Sequence, residues 1–398
     1  MNTDFLLIGG ECGGLETALH LRKLVTDATI TIVNPQPHLI YRPWLIYLPA
    51  QRRRLEELQI TLHKAATTYR LHLVIDTVRQ LDYWNQRVLL AGDEVINYRF
   101  AVVAAGAPAD RERLPGSAQH ALFPCDVEEA LALKERFLAL KQGHVSVIIA
   151  GERPGPGLEY EGWLATAAQE RGMAGRLHVH VVDDRESLRA RLGDSAMDIV
   201  ARFLAQKGTT LIRGQAVRAV HAEGIELENG TAWDSVLTAV VGPLRGADLA
   251  LSAPIVDEQG FVRVQPTFQN ESQLGLFAIG DTMRFPAGSE LPKTWMLTRR
   301  QAPLVARNLV AHARGEELSH ILSDRLFIVI SPRASPPALS EFGLICVLPG
   351  LGPFWLSCGS ACGATAHDDA HGVFVTLPPY TGSREGEARQ LGKETPLR

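Results

Sequence analysis

The chain has 398 residues, of which 46% are hydrophobic and 21% charged, and its formal net charge is −4. This length suggests two or three domains, and the composition is that of a globular protein with ample apolar material for a core. The small negative charge gives no reason to expect nucleic-acid binding. No signal peptide precedes the first strand, no apolar run reaches the roughly 18 residues of a membrane helix, and five scattered cysteines do not suit a secreted disulfide framework. We therefore expect a cytoplasmic protein.

The first thirty residues predict the unit around which the chain is organised. An apolar run at 5–8 is typical of a buried parallel strand, and it leads into the glycine-rich residues 9–14. An amphipathic helix and a second apolar run at 28–33 follow, and that run ends at Asn34. Such a βαβ unit directs the N–H groups at the start of its helix toward a pyrophosphate.

Two positions of this unit depart from a dinucleotide fingerprint. On the frame G-x-G-x-x-G, the middle glycine is replaced by Glu11, and the usual acidic residue after the second strand is replaced by Asn34. A carboxylate about 4 Å from a phosphate charge would cost roughly 4 kcal/mol at an effective dielectric near 20, on the order of a thousandfold in affinity. Cofactor binding should therefore be weakened unless Glu11 is protonated, turned away or paired with a cation.

Several further elements are predicted before the middle of the chain. Prolines keep residues 35–49 out of regular structure, as a packed surface loop or as a wall beside a pocket. The elements expected after this loop are a helix at 55–69, strands at 73–78 and 88–90, a strand at 98–106 that ends in small residues, and a helix at 126–141 capped by Asp126.

A second βαβ unit repeats the first. A strand at 145–149 leads into a glycine- and proline-rich loop at 151–157, a helix at 158–171 and a strand at 177–182 that ends at Asp183. Asp183 suits a ribose-binding acid, but the loop lacks the three-glycine spacing, and its prolines remove N–H donors that would face a phosphate. This internal repeat indicates two dinucleotide-binding folds in one chain.

The last third contains an apolar strand at 275–281 that ends in Gly280 and Asp281, then a helix at 294–313. An acid at the carboxyl end of a parallel strand lies where such sheets bind ligands. Beyond about residue 320 the pattern changes to short β-like runs, with a polar tail from 381. Cys358, Cys362, His367 and His371 suit zinc by type, but the pairs are too close together for a zinc finger. We expect no metal there.

These pieces, in this order, resemble the flavoproteins with two dinucleotide-binding domains, nearest to the group of type II NADH dehydrogenases and sulfide:quinone reductases. The resemblance covers roughly residues 4–315. It depends on the sequence segments 9–14, 98–106, 114–116, 157–159, 277–281 and 292–293.

The resemblance implies an α/β protein with two Rossmann-like domains, the second inserted in the first, plus a small C-terminal α+β region. Residues 1–116 and 253–316 would form the FAD-binding-type domain, 117–252 the NAD(P)-binding-type domain, and 317–398 the C-terminal region. By the same resemblance Glu159 would sit beside the nicotinamide and Lys293 beside the flavin ring. The positions expected to contact a cofactor are Gly9, Gly10, Glu11, Gly14, Asn34, Gly106, Gly280 and Asp281 for FAD, and Gly151, Gly157 and Asp183 for NAD(P)H.

Two features separate this chain from the group it resembles. The glutamine-rich quinone motif expected after residues 292–293 is replaced by a different sequence at 294–300. Cys125 and Cys346 resemble two of the cysteine positions of sulfide reductases, but the region after the second glycine loop has no cysteine, which disfavours sulfide oxidation.

Two functional hypotheses follow. The first is an FAD-dependent NAD(P)H oxidoreductase that passes electrons to a quinone or another small acceptor. The second is a diverged protein with impaired FAD and NAD binding, acting as a non-redox biosynthetic enzyme or as a binding protein. The second hypothesis is motivated by where the departures from the fingerprint lie. They fall at positions that would contact phosphate, while the apolar pattern of the core is intact. Neither hypothesis requires nucleic acid or a transmembrane segment, and both are compatible with peripheral membrane contact and a homodimer.

Overall fold

A computed structural model describes residues 1–151, 154–186, 188, 194–206, 208–249, 254–286 and 293–320, and strands at 327–329, 343–346, 354–357 and 375–376. Its α-helices are α1 (Cys12–Leu24), α2 (Leu62–Thr68), α3 (Ser117–His120), α4 (Val127–Ala139), α5 (Pro154–Glu170), α6 (Asp194–Gln206) and α7 (Trp295–Arg314). Short 3-10 helices lie at Arg42–Tyr47, Leu55–Leu58, Asp184–Glu186 and Gly280–Thr282.

The described strands, in chain order, are β1 (Asn2–Ile8), β2 (Ile30–Asn34), β3 (His38–Ile40), β4 (Gln59–Thr61), β5 (His72–Ile75), β6 (Val78–Asp82), β7 (Arg87–Leu90), β8 (Val95–Val103), β9 (Ala121–Leu122), β10 (Gly143–Ile149), β11 (Leu177–Asp183), β12 (Thr210–Ile212), β13 (Val217–His221), β14 (Gly224–Leu227), β15 (Ala232–Asp234), β16 (Leu237–Val241), β17 (Val262–Arg263), β18 (Leu276–Ala278), β19 (Met283–Arg284), β20 (Phe327–Val329), β21 (Gly343–Cys346), β22 (Phe354–Ser357) and β23 (Val375–Thr376).

The first sheet has the order β5-β2-β1-β8-β7-β6, and β18 pairs with the last part of β8. Strands β5, β2, β1, β8 and β18 are parallel, whereas β7 and β6 form an antiparallel hairpin at one edge. Leu7 on β1 lies between Ile32 and Val102 and is fully buried, as expected for a strand covered on both faces. Helices α1 and α7 pack together beside this sheet. The carboxyl ends of β1, β8 and β18 therefore meet at one edge.

The second sheet has the order β12-β11-β10-β16-β9 and is parallel throughout. Its strands come from chain positions between β8 and β18 of the first sheet, which agrees with one α/β unit inserted in the other. A three-stranded antiparallel sheet of β13, β14 and β15 is attached to it. The α/β fold class predicted from the sequence is confirmed, while the exact domain boundaries stay predictions.

Two smaller features complete the description. Strands β20 to β23 form an antiparallel sheet, which matches the short β-like runs expected beyond residue 320. The cysteines and histidines at 358–371 lie outside the described residues. Within the described part of the chain, every helix is too short or too polar to cross a membrane.

Local expectations were confirmed in some places and wrong in others. Asp126 caps α4 by accepting the N–H groups of Glu128 and Glu129, as predicted. The helix expected at 55–69 is wrong in its first half, because β4 pairs there with β3 and helix α2 begins only at Leu62. The prediction that residues 35–49 have no regular structure is also wrong, because they contain β3 and the 3-10 helix Arg42–Tyr47.

Helix α5 begins at Pro154, four residues earlier than the sequence predicted. Proline suits a first helical position, because its missing N–H is one that a helix start leaves unpaired anyway. Gly157 in the first turn faces β10 closely, and a Cβ there would lie 2.4 Å from Cγ1 of Ile149. Gly157 is therefore a packing glycine, which lets α5 approach the second sheet.

We expect Gly157→Ala to destabilise the protein by about 1–3 kcal/mol through overpacking against Ile149. Chemical denaturation of the single variants Gly157→Ala and Ile149→Ala and of the double variant measures this. The double variant should lose less stability than the sum of the two single losses, because the shortened side chain at position 149 leaves room for the new methyl group. Additive losses would show that the two positions do not compete for space.

Candidate active site

A cavity of about 740 Å³ opens at the carboxyl ends of β1, β8 and β18. In a parallel α/β sheet this edge, where neighbouring strands connect in opposite directions, is the usual ligand position. The first unit contributes the loop after β1, the ends of β2 and β8, and the turn after β18; the second contributes the start of α5 and the end of β16. The sequence-predicted residues that line the cavity are Gly9, Glu11, Asn34, Gly106, Glu159, Gly280, Asp281 and Lys293.

The glycine-rich loop is packed so tightly that side chains do not fit. Gly9 has a φ of +106°, and a Cβ on it would lie 2.4 Å from the carbonyl oxygen of Ala104 at the end of β8. A Cβ on Gly14 would lie 1.8 Å from the carbonyl oxygen of Gly9, and one on Gly10 would meet Leu62 and Asn34. Gly10 and Gly14 thus support the loop from behind, while Gly9 faces the cavity.

Glu11 forms a two-point ion pair with Arg42. Nε of Arg42 lies 2.6 Å from Oε2 of Glu11, and its NH2 group donates to Oε1 at 3.0 Å. The NH1 group of the same arginine donates to the carbonyl oxygen of Cys125 at 3.1 Å. The charge that the sequence places in the phosphate loop is therefore neutralised by a cation 31 residues away, one of the outcomes left open above.

Asn34 holds the loop in place. Its Oδ1 accepts the N–H of Gly10 at 2.7 Å, and its Nδ2 donates to the carbonyl oxygen of Gln36 at 2.8 Å. A carboxylate at this position could accept the N–H of Gly10, but it could not donate to the carbonyl oxygen of Gln36 and would be repelled by it. This pair of bonds explains why an amide stands where an acid is usual. Contact between Asn34 and a ribose stays a prediction.

The wall formed by the first unit continues at Gly106, Gly280 and Asp281. Gly106 and Gly280 have φ values of +73° and +76°, a left-handed backbone that favours glycine. Lys293 is buried, and its ammonium donates to the carbonyl oxygens of Asp281 and Met283, each at 2.7 Å. Lys293 therefore anchors the turn that presents Asp281 to the cavity.

Glu159 on α5 lies at the boundary of the two units. Burial raises the pKa of its carboxyl group to about 8, so that it is mostly protonated at neutral pH. The same effect, with a contribution from Glu159, raises the pKa of Tyr47 to about 12. Tyr47 also packs edge-on against Trp163 of α5, with ring centroids 5.1 Å apart. A neutral acid is thus available at this end of the cavity.

The three positions expected to hold the adenosine half of NAD(P)H lie outside this cavity in the described structure. Gly157 packs on Ile149. Asp183 is fully buried at the end of β11, and its Oδ1 accepts the N–H of Leu188 at 2.7 Å. Gly151 has a φ of +83° and lies close to Pro243. These three residues therefore lie apart from the cavity at the ends of β1, β8 and β18, and their contact with NAD(P)H stays a prediction.

Two thiols near the cavity are free. Cys12 is buried, its Sγ lies 3.7 Å from the carbonyl oxygen of Trp295, and burial raises the pKa of this thiol to about 12. Such a group stays protonated and is a poor nucleophile. Cys125 is half-buried and lines the cavity. Cys346 lies on β21.

The residues of the first unit fit FAD. The cradle of Gly9 and Gly14 admits only backbone, and the first N–H groups of α1 have no partner inside the helix, which suits a pyrophosphate. Sequence reasoning missed the wall at the end of β16, formed by Val240, Gly242 and Leu244. An available signal was the apolar run at 237–241 that ends in Gly242, as the run at 98–106 ends in Gly106.

Arg42→Met should weaken FAD binding, because it leaves the Glu11 carboxylate unneutralised beside the phosphate loop. The two side chains are 42% and 32% exposed, so solvent screening reduces the repulsion. We expect a cost of about 1–2 kcal/mol, or roughly five- to thirtyfold in Kd, measured by titration calorimetry of the apoprotein with FAD.

Arg53→Met is the matched control for that experiment. Arg53 stacks on Trp44 and pairs with Glu57, and its removal changes the net charge equally without touching the Glu11 pair. Its FAD affinity should equal that of the wild type. Glu11→Gln should bind FAD more tightly than the wild type, but by much less than the thousandfold estimated for an unpaired carboxylate. Unchanged affinity in Arg42→Met would show that Glu11 stays clear of the cofactor.

The raised pKa of Glu159 predicts a pH-dependent stability difference. Its folded pKa of about 8 exceeds the ordinary value of 4.5, so the favourable contribution of the protonated form is complete below about pH 4.5 and is lost as pH rises through 8. The melting temperature of Glu159→Gln minus that of the wild type should therefore grow between these pH values and level off above 8. Glu135→Gln, an exposed change on α4, is the control for the loss of one carboxyl group. A flat difference for Glu159→Gln would mean that its carboxyl group titrates as in water.

Comparison with known proteins supports the same view of the molecule. The family model described as pyridine nucleotide-disulphide oxidoreductase matches residues 3–302. The sulfide-quinone reductase of Aquifex aeolicus is 23% identical over 365 residues, covering 86% of this chain and 82% of the relative. The demethylphylloquinone reductase of Synechocystis sp. is 25% identical over 332 residues, covering 78% and 80%.

Solved structures agree with the fold. The crystal structure of the sulfide:quinone oxidoreductase from Aquifex aeolicus superimposes with a TM-score of 0.78 at 18% identity, covering 94% of this chain and 86% of that one. The family model spans about three quarters of the chain and includes both parallel sheets and the cavity between them. The chain belongs to the pyridine nucleotide-disulphide oxidoreductase family and is an oxidoreductase enzyme.

Proposed function

We propose that the protein is an FAD-dependent oxidoreductase that passes electrons to a quinone. The observation that carries the FAD assignment is the glycine cradle at the end of β1, where the backbone of Gly9 and Gly14 leaves no space for side chains. The start of α1 and the turn at Asp281 border the same cavity. Pyrophosphate at the helix start and ribitol beside Asp281 would follow the arrangement expected from the sequence.

The quinone assignment is supported by the apolar wall of the cavity and by the relatives. Leu45, Ile46, Leu244 and Leu249 line it together with Met296, which is 45% exposed at the start of α7. A quinone ring is flat and largely apolar, so such a wall suits it. The names of the two relatives reported above include a quinone and a phylloquinone derivative.

The chemistry would be divided between cofactor and protein. A bound flavin supplies the transfer of electron pairs, and the protein supplies position, water exclusion and protons. Glu159, protonated near neutral pH, is a proton donor at the boundary of the two units. Tyr41 and Trp295, in edge-on contact with ring centroids 5.0 Å apart, stiffen the wall around Cys12.

The competing proposal is a non-redox enzyme or binding protein that keeps the scaffold. Its support is Glu11, an acid in the phosphate loop. Because Arg42 neutralises that acid, the electrostatic argument for this alternative loses most of its weight.

The protein as purified should carry yellow FAD absorbance or acquire it when FAD is added. After anaerobic photoreduction, a soluble naphthoquinone should reoxidise the bound flavin at a rate that saturates with quinone concentration. This design supplies electrons from outside and so does not depend on the natural donor. A protein that stays colourless with excess FAD, or a flavin whose reoxidation shows no saturation, would favour the non-redox alternative.

A further inference from the structure

We propose that the second α/β unit does not hold NAD(P)H, so that NAD(P)H is not the electron donor. The statement about the donor rests on the proposed flavin function, whereas the statement about binding stands without it. NAD(P)H is the donor that the sequence resemblance implies. The residues at its expected position have contacts that do not fit it.

The start of α5 has lost half of its anion-binding groups. The first four N–H groups of a helix have no partner inside it and are the ones that face a phosphate. In α5 the first and third helical positions are Pro154 and Pro156, so among the first three positions only Gly155 carries an N–H. The equivalent positions of α1, residues 12–14, all carry an N–H. The two units therefore share a fold but differ at the group that binds pyrophosphate.

The acid expected to bind a ribose is covered by the chain itself. Asp183 is fully buried, and its carboxylate accepts the N–H of Leu188 at 2.7 Å. The following residue, Asp184, is also buried and accepts the N–H of Val217 at 2.7 Å. The segment after β11 is thus fixed by two bonds, and a ribose hydroxyl at Oδ1 of Asp183 would have to displace the N–H of Leu188 and leave it without its partner.

The direction of the turn after β11 supports this interpretation. Arg185 and Glu186 both have left-handed backbones, with φ values of 51° and 55°. Arg185 pairs with Glu228 at 3.0 Å, which ties the turn to the neighbouring antiparallel sheet. Left-handed non-glycine residues persist only where surrounding contacts fix them. The backbone of this turn is therefore fixed by its surroundings.

The start of α5 has a different task. Gly155 and Pro156 line the cavity assigned to the flavin, together with Glu159 and Tyr160 of the next turn. Tyr160 is buried, and its hydroxyl donates to the carbonyl oxygen of Pro124. The second unit thus lines the cavity assigned to the flavin with the same helix end that a nucleotide would need.

Titration calorimetry with ADP-ribose and with NAD⁺ tests the binding statement on the protein as purified. We expect no saturable binding, meaning a Kd weaker than about 1 mM. In parallel, NADH and NADPH should leave the absorbance of bound flavin unchanged under anaerobic conditions, while photoreduction bleaches it. Saturable ADP-ribose binding, or rapid bleaching by either nucleotide, would overturn the proposal. A protein without flavin would refute the proposed function, yet the ADP-ribose titration would still decide this one.

The double variant Pro154→Ala/Pro156→Ala tests the part assigned to the prolines. It restores two N–H donors at the helix start, and a melting curve checks that it folds. Its affinity for ADP-ribose should exceed that of the wild type, which has no measurable binding. If the wild type binds ADP-ribose and the variant binds it equally well, the prolines are no obstacle and the proposal fails.

Discussion

The close contact between the loop after β1 and the end of β8 is the constraint on which the rest of the site depends. Gly9 lies against the carbonyl of Ala104, and Gly14 lies against the carbonyl of Gly9, at distances that exclude any Cβ. This contact sets the position of the start of α1, and α1 in turn packs on α7, which begins just after Lys293. The loop after β1, the end of β8 and the start of α7 are far apart in sequence. They line one cavity because the backbone of the first two is in direct contact.

The fold was predictable because its signals are local. Apolar runs, glycine loops and helical periodicity repeat twice along the chain, and both parallel sheets follow from them. The helix predicted at 55–69 failed because β4 is a strand only through its pairing with β3, about twenty residues earlier. Tertiary pairing overrode local propensity there. Local sequence signals also failed to show the surroundings of Asp183. Its burial depends on how the chain folds after β11, and motif spacing does not predict that.

The two α/β units share a fold but differ in how each accommodates its departures from the dinucleotide fingerprint. In the first, an irregular residue, Glu11, is compensated by a cation from another segment. In the second, the helix start carries prolines and the acid at the strand end is buried. Sequence inspection finds Glu11 and the two prolines with equal ease, but not the burial of the acid. Only their surroundings distinguish a departure that is neutralised from one that removes a ligand position.

The three contacts of Arg42 have a mechanical consequence. Its guanidinium joins the phosphate loop, through Glu11, to the backbone of Cys125, which lies between β9 of the second sheet and α4. The guanidinium therefore acts as a cross-link between the phosphate loop of the first unit and the segment that enters the second, and its removal would release both ends at once.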